Sequence, residues 1–299
     1  MPRWRAALMS LSLLVTPPLT QADSLSRDLA SYYERHMVLV GDVAYGWSGR
    51  GEPRRMRSGV LQVGVAKDAH FALLADGALI SWDQNADAAI PLMRGVSRFA
   101  AGASGWFAID AAGTLWHAEG LAAPRRVAEG VSAACIGDSA DYFITRDGRL
   151  HVKGLAHRGQ YGDGRLTASA DFVVTASDVV AVQAHTGHAI HLRRDGVVLG
   201  TGGNRFGPLS SHGLGDKADR WGLLFDGATA IATGSRHSLA IRSNASLWAW
   251  GEGFAIQPVK LMEGVVAVAA GDTATIARTA DGALWQWDGG AGPRRLTLR

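Results

Sequence analysis

A short pattern recurs along nearly the whole chain: an apolar strand, a Gly-containing turn, a second apolar strand, Asp-Gly, and a third strand that often carries Trp. Around the second turn the copies read ADGALISW at 75–82, AAGTLWHA at 111–118, RDGRLHVKG at 146–154 and RDGVVLGTGG at 194–203. They continue as SNASLWAWG at 243–251 and ADGALWQWD at 280–288, with a weaker early copy, VGDVAYGW, at 40–47. The turn positions are Asp42, Gly77, Gly113, Gly148, Gly196, Ala245 and Gly282, spaced by 35, 36, 35, 48, 49 and 37 residues. Asp-Gly between apolar strands marks a hairpin, because Gly accepts the positive φ of a tight turn. Trp248 and Trp250, like Trp285 and Trp287, are two apart and share one face of a strand, as packing between sheets requires. One such sheet cannot bury both faces, whereas seven stacked radially can. The expected fold is therefore all-β, a seven-bladed β-propeller of short strand-turn-strand repeats.

The two ends are read separately. Arg3 and Arg5, the apolar run 6–15, Pro17-Pro18 and Thr20-Gln21-Ala22 have the form of a secretory signal. The run is about half the ~20 residues needed to span a bilayer. The expected organisation is a signal peptide over 1–22, a lead-in over 23–34 and the propeller over 35–299, with no stable membrane anchor once the signal is cut. The expected location is periplasmic or secreted. Without the signal, Lys+Arg falls to 28 against 27 Asp+Glu, a net charge of +1. That balance argues against nucleic acid as a partner. Pro-Arg-Arg recurs at 53–55, 124–126 and 293–295, at similar places in the repeat, and reads as exposed edge-strand sequence. The unit at Asp42 begins with RHMVLV and has no strand before it like VVAVAAG at 265–271. RRLTLR at 294–299 is a spare end. The C-terminal segment is expected to pair with the first blade and close the ring.

Three stretches carry a family resemblance. VVAVAAGDTATIARTADGALWQWDGG at 265–290 and ATAIATGSRHSLAIRSNASLWAWGEG at 228–253 resemble repeats of the regulator of chromosome condensation family, as does RGQYGDGRL at 158–166, with Tyr161 where the family has Leu. The resemblance spans about 31–299 and implies a seven-bladed propeller. Units two, three, six and seven lack the family's long loop, and with the signal the chain resembles most the compact secreted bacterial members. The family's functions range from nucleotide exchange on a small nuclear GTPase to ultraviolet-B reception and β-lactamase inhibition, so the resemblance does not fix the activity.

Chemistry is sparse. His185, His188 and His191 are three apart, and on a strand such neighbours point to opposite faces and do not converge on a metal. His188 and His237 occupy the position of the family's usual His and read as structural. Cys135 lies in an apolar strand and reads as a buried small hydrophobe. No nucleophile elbow, phosphate loop or His-Glu-x-x-His motif occurs. The reading is of no enzyme, no cofactor and no metal.

A propeller face remains. The turns between first and second strands should emerge together and present Lys67, Asp68, Trp106, Asp138, Asp141, Tyr142, His185, Arg236 and Asp272. Trp106 follows the small turn GASG and either meets a partner or folds back into its blade. Long loops at 154–178 and 200–227 are expected on the opposite face. The function expected is an exported, non-enzymatic, monomeric protein-binding scaffold, in its sharpest form an inhibitor of a secreted enzyme. Two alternatives are a carbohydrate- or small-ligand-binding propeller, or an enzyme, using the central mouth, and a host-directed nucleotide-exchange effector.

Overall fold

In the computed structural model, residues 27–83, 88–210 and 215–299 are described. The signal segment 1–22 and the start of the 23–34 lead-in lie outside them. The described chain forms seven four-stranded antiparallel sheets in strict sequence order, spanning 29–57, 60–93, 96–128, 131–176, 179–225, 228–262 and 265–296. They are the seven blades, and the expected architecture is observed.

Each blade follows from its sequence. The second strands are almost wholly buried, as in His188–Arg193 and His237–Arg242, because both of their faces meet neighbouring blades. The fourth strands are half exposed, and three of them carry the Pro-Arg-Arg triplets at the rim: Arg54–Arg57, Arg125–Ala128 and Arg294–Leu296. The hairpin between second and third strands needs a left-handed residue. Glycine supplies it at Gly77, Gly113, Gly148, Gly196 and Gly282, and Ala245 adopts it at φ +62°. In blades two to seven the register slips once between first and second strands, a bulge that adds local twist. Blade one has no such slip.

Two expectations about the ends change. Blade one does have its innermost strand, Leu29–Tyr32, within the lead-in. Its sequence LASY lacks the Val/Ala run of the other first strands, which hid it. The C-terminal strand Arg294–Leu296 completes blade seven rather than adding to blade one. Beyond that strand Arg299 reaches across, pairing its backbone N–H with Pro53 O and accepting from Arg55 N, both at 2.9 Å, and Thr297 N donates to Glu52 Oε2 at 2.7 Å. Side chains complete this seam. Trp47 Nε1 donates to Gln286 Oε1 at 3.0 Å, Arg294 pairs with Glu52 at 2.6 Å, and Arg50 with Asp288 at 3.0 Å.

The innermost strands surround a central channel of about 850 Å³. Its middle is lined by small and branched apolar side chains such as Val63, Ala100, Ala134, Val182, Ala230 and Val268.

Candidate functional site

Four antiparallel strands place the connections between strands one and two, and between strands three and four, at the same end of a blade. The long loops 155–168 and 204–210 therefore rise on the face that bears the inner turns, and the expectation that they emerge opposite is corrected. Contacts fix this: Leu155 N donates to Ser139 O at 2.7 Å, Gly203 N to Gly187 O at 2.8 Å, and Glu252 N to Arg236 O at 3.0 Å. One face thus carries both sets of loops.

At its centre the inner turns meet. Tyr32 ends the first strand of blade one and Tyr33 opens the turn after it, and both reach across the channel to blade four. Tyr32 Oη donates to Asp138 Oδ1 at 2.9 Å, and Tyr33 Oη to Asp138 Oδ2 at 3.0 Å. Both rings pack on the His185 imidazole of blade five, with centroids 5.3 Å away. Burial and the Asp138 charge push the Tyr32 phenol well above its ordinary range, so it stays a donor. Burial lowers the His185 pKa and keeps that ring neutral. Its Nδ1 lies 3.0 Å from Thr186 Oγ1 and 3.2 Å from Ser235 Oγ of blade six. From blade seven, Asp272 N donates to Tyr33 O at 3.1 Å. A Cβ on Gly271 would collide with that carbonyl, so glycine is what lets this turn approach. Five blades therefore bar the channel on this face. Tyr33 stands at φ +50°, a backbone state few tyrosines adopt, in the two-residue turn that aims both rings inward.

The candidates named from sequence separate into three groups. Asp138, His185, Arg236 and Asp272 gather at this mouth. Arg236 donates to Glu252 at 2.9 and 3.2 Å and lies 3.9 Å from Asp272, with its guanidinium 4.8 Å above the exposed Phe206 ring. The Glu252 hydrogen bond raises the Arg236 pKa further. Lys67 and Asp68 are exposed in blade two, beside a shallow cleft shared with Ser104 and Glu119. Trp106, Asp141 and Tyr142 are buried, which corrects their placement on the surface.

Trp106 is 1% exposed and donates Nε1 to Gly120 O at 3.0 Å. The turn GASG brings it in over the third strand of its own blade, as one of its two open orientations allowed. Tyr142 donates to Gln160 O at 3.0 Å from inside blade four. Asp141 takes a hydrogen bond from Ser104 at 3.2 Å and lies 3.8 Å from Lys153. Burial still raises its carboxyl above the usual range. Tyr32 and Tyr33 were missed, because the strand that carries them shows no repeat signal. Counting back from RHMVLV to the equivalent turn would have reached them.

The histidines do not converge. His188 Nε2 lies 3.1 Å from Ser238 Oγ in the next blade, and His237 Nε2 lies 2.9 Å from Thr275 Oγ1 in the blade after. His191 meets the Trp221 ring edge-on. Among the described residues no group of three or more His, Cys, Asp or Glu side chains is placed to hold a metal ion. Burial pushes the Cys135 thiol up to about 12, so it is a packed, unreactive group.

Against known proteins, a model of the Regulator of chromosome condensation (RCC1) repeat matches residues 228–256, the stretch that forms most of blade six. No curated protein matches the chain by sequence. Among solved structures, yeast RCC1 (Prp20), studied with Kap60 bound, is similar at a TM-score of 0.74 and 16% identity, over 96% of this chain and 86% of that one. Prp20p from Saccharomyces cerevisiae, studied for its binding to Gsp1p and histones, is similar at 0.67 and 15%, over 82% and 80%. PorZ, a surface component of the type-IX secretion system of Porphyromonas gingivalis, reaches 0.62 and 11% over 92% of this chain, but only 38% of that one.

The stronger likeness thus runs to a yeast protein described with Gsp1p, Kap60 and histones, and it corrects three expectations. The resemblance is not one to secreted bacterial members above all. The periplasmic or secreted location does not stand. The reading as an exported inhibitor of a secreted enzyme falls with them. No helix among the described residues is long and apolar enough to cross a membrane.

Proposed function

We propose that this chain is a protein-binding propeller of the RCC1 kind, which docks one folded partner on its loop-bearing face and acts as a nucleotide-exchange factor does, by holding a small GTPase without covalent chemistry. The observation that carries this reading is the gathering of inner turns and outer loops on one face. That arrangement leaves Leu121, Leu155, Phe206 and Ile256 exposed there, with Phe206 beneath the Arg236 guanidinium. Aromatic and arginine side chains on a rigid frame supply binding energy at little ordering cost. The likeness to Prp20, a protein studied for its binding to Gsp1p, supports the choice of partner.

The test is binding of a Gsp1p-type GTPase to the purified protein, together with release of a fluorescent GDP from that GTPase. The expected outcome is a one-to-one complex and faster release. The double variant Phe206→Ala/Arg236→Ala should weaken the complex about tenfold or more while melting unchanged, since hot-spot truncations cost about 2 kcal/mol or more. Absence of binding, or a double variant that binds as the native chain does, would refute the reading.

A further inference from the structure

The two mouths of the channel differ in kind. One is barred by Tyr32, Tyr33, Asp138 and His185. The other opens among arginines. Arg98 comes from the innermost strand of blade three, Arg146 from the hairpin of blade four, Arg193 and Arg194 from that of blade five, and Arg27 precedes blade one. All five line the channel. Arg146 and Arg194 stand foremost in this cluster. Arg146 donates to the Ala112 carbonyl at 2.7 Å, and a carbonyl does not neutralise a cation. Arg194 is exposed beside it.

Asp195 and Asp110 stand beside this cluster. Asp195 pairs with Arg193 at 2.7 Å. Asp110 lines the mouth, but its carboxylate takes hydrogen bonds from Ala112 N, Thr114 N and Trp116 Nε1, which turn it into its own hairpin. A second, separate observation lies at the closed end. His185 Nε2 and Thr233 Oγ1 line the channel there, are more than nine-tenths buried, and have no hydrogen-bond partner in the protein. Buried polar atoms are almost always satisfied, so these two call for atoms from outside the chain.

From these observations we infer that the open mouth and channel form a binding site for a small molecule with clustered phosphates. The phosphates sit among Arg27, Arg98, Arg146, Arg193 and Arg194, and the rest of the molecule enters the apolar channel. A volume of about 850 Å³ lies in the range of small-ligand sites, and arginine matches phosphate with paired donors. The site is independent of the loop-bearing face and of any partner bound there.

The experiment is isothermal titration of the full chain with inorganic tripolyphosphate and, in parallel, with ATP, at two salt concentrations. Saturable one-to-one binding of either, weakening with salt, is expected. Equal affinities would assign recognition to the phosphates alone, and tighter ATP would add the channel to the site. Arg146→Ala/Arg194→Ala should weaken binding about tenfold or more, as the loss of two charge-assisted contacts implies, with an unchanged melting temperature. The single exposed change Arg194→Glu should weaken it in the same direction and does not depend on the first variant folding. Lys260→Ala, on the outer rim of blade six, should leave it unchanged. Failure of both ligands to saturate, or equal binding by Arg194→Glu and the native chain, would overturn the proposal.

Discussion

The seams between blades five, six and seven and the seam that closes the ring are built differently. In the first, a buried neutral histidine at the start of one blade's second strand meets a hydroxyl in the next: His188 with Ser238, and His237 with Thr275. Apolar packing does the rest. Trp250 is fully buried against Phe225, with its Nε1 on Pro208 O at 2.7 Å. At the closing seam the bonds belong mostly to half-exposed charges, Arg294–Glu52, Arg50–Asp288 and Arg278–Asp28, with two backbone bonds from Arg299. Trp47 is the buried anchor there. Neighbouring blades are already tethered by a short connection, so a single neutral bond suffices to set their register. The two ends of the chain have no tether, and charges that act at a distance draw them together.

The comparison predicts a ranking. Trp250→Ala should cost most, about 3–5 kcal/mol by the usual loss for a buried large aromatic, read as a shift in the urea midpoint. Next comes acid sensitivity from the buried histidines. Burial lowers His188 to about 3, and His36, His70, His191 and His237 to about 4, from an ordinary 6.5. Below pH 6.5 the unfolded chain takes up protons that the folded chain refuses, so stability falls as pH drops from about 6.5 toward 4. The melting temperature should decline over that window, and His237→Gln should make the decline shallower. A flat melting profile between pH 7 and 4.5 would mean that these rings protonate within the fold. The smallest effect belongs to the closing charges. Glu52→Ala should cost about 1 kcal/mol or less, most of it lost in 1 M salt, as half-exposed ion pairs do. A salt-independent loss as large as that of Trp250→Ala would break the comparison.

Much of the fold was legible because its signals are local. Tight hairpins between apolar strands repeat seven times, four of them at Asp-Gly, and turn chemistry leaves little choice at Gly77 or Gly282. The site was harder to read for two physical reasons. Exposure is decided by register, and no local signal shows that Trp106 and Tyr142 turn inward while Phe206 turns outward. Partners in space are far apart in sequence: Tyr32 and Asp138 are separated by 106 residues. The sidedness of the long loops was within reach, since it needs only the parity of strands in a blade.

One feature of the architecture bears on how the molecule is made. Every blade is cut from an unbroken stretch of chain, and no sheet borrows a strand from the far terminus. A growing chain can therefore complete each sheet as it leaves the ribosome, and only the pairing of Arg299 with blade one waits for the last residue. The tyrosine strut can set once blades one, four and five exist, which fixes the curvature of the arc before its final third has been translated.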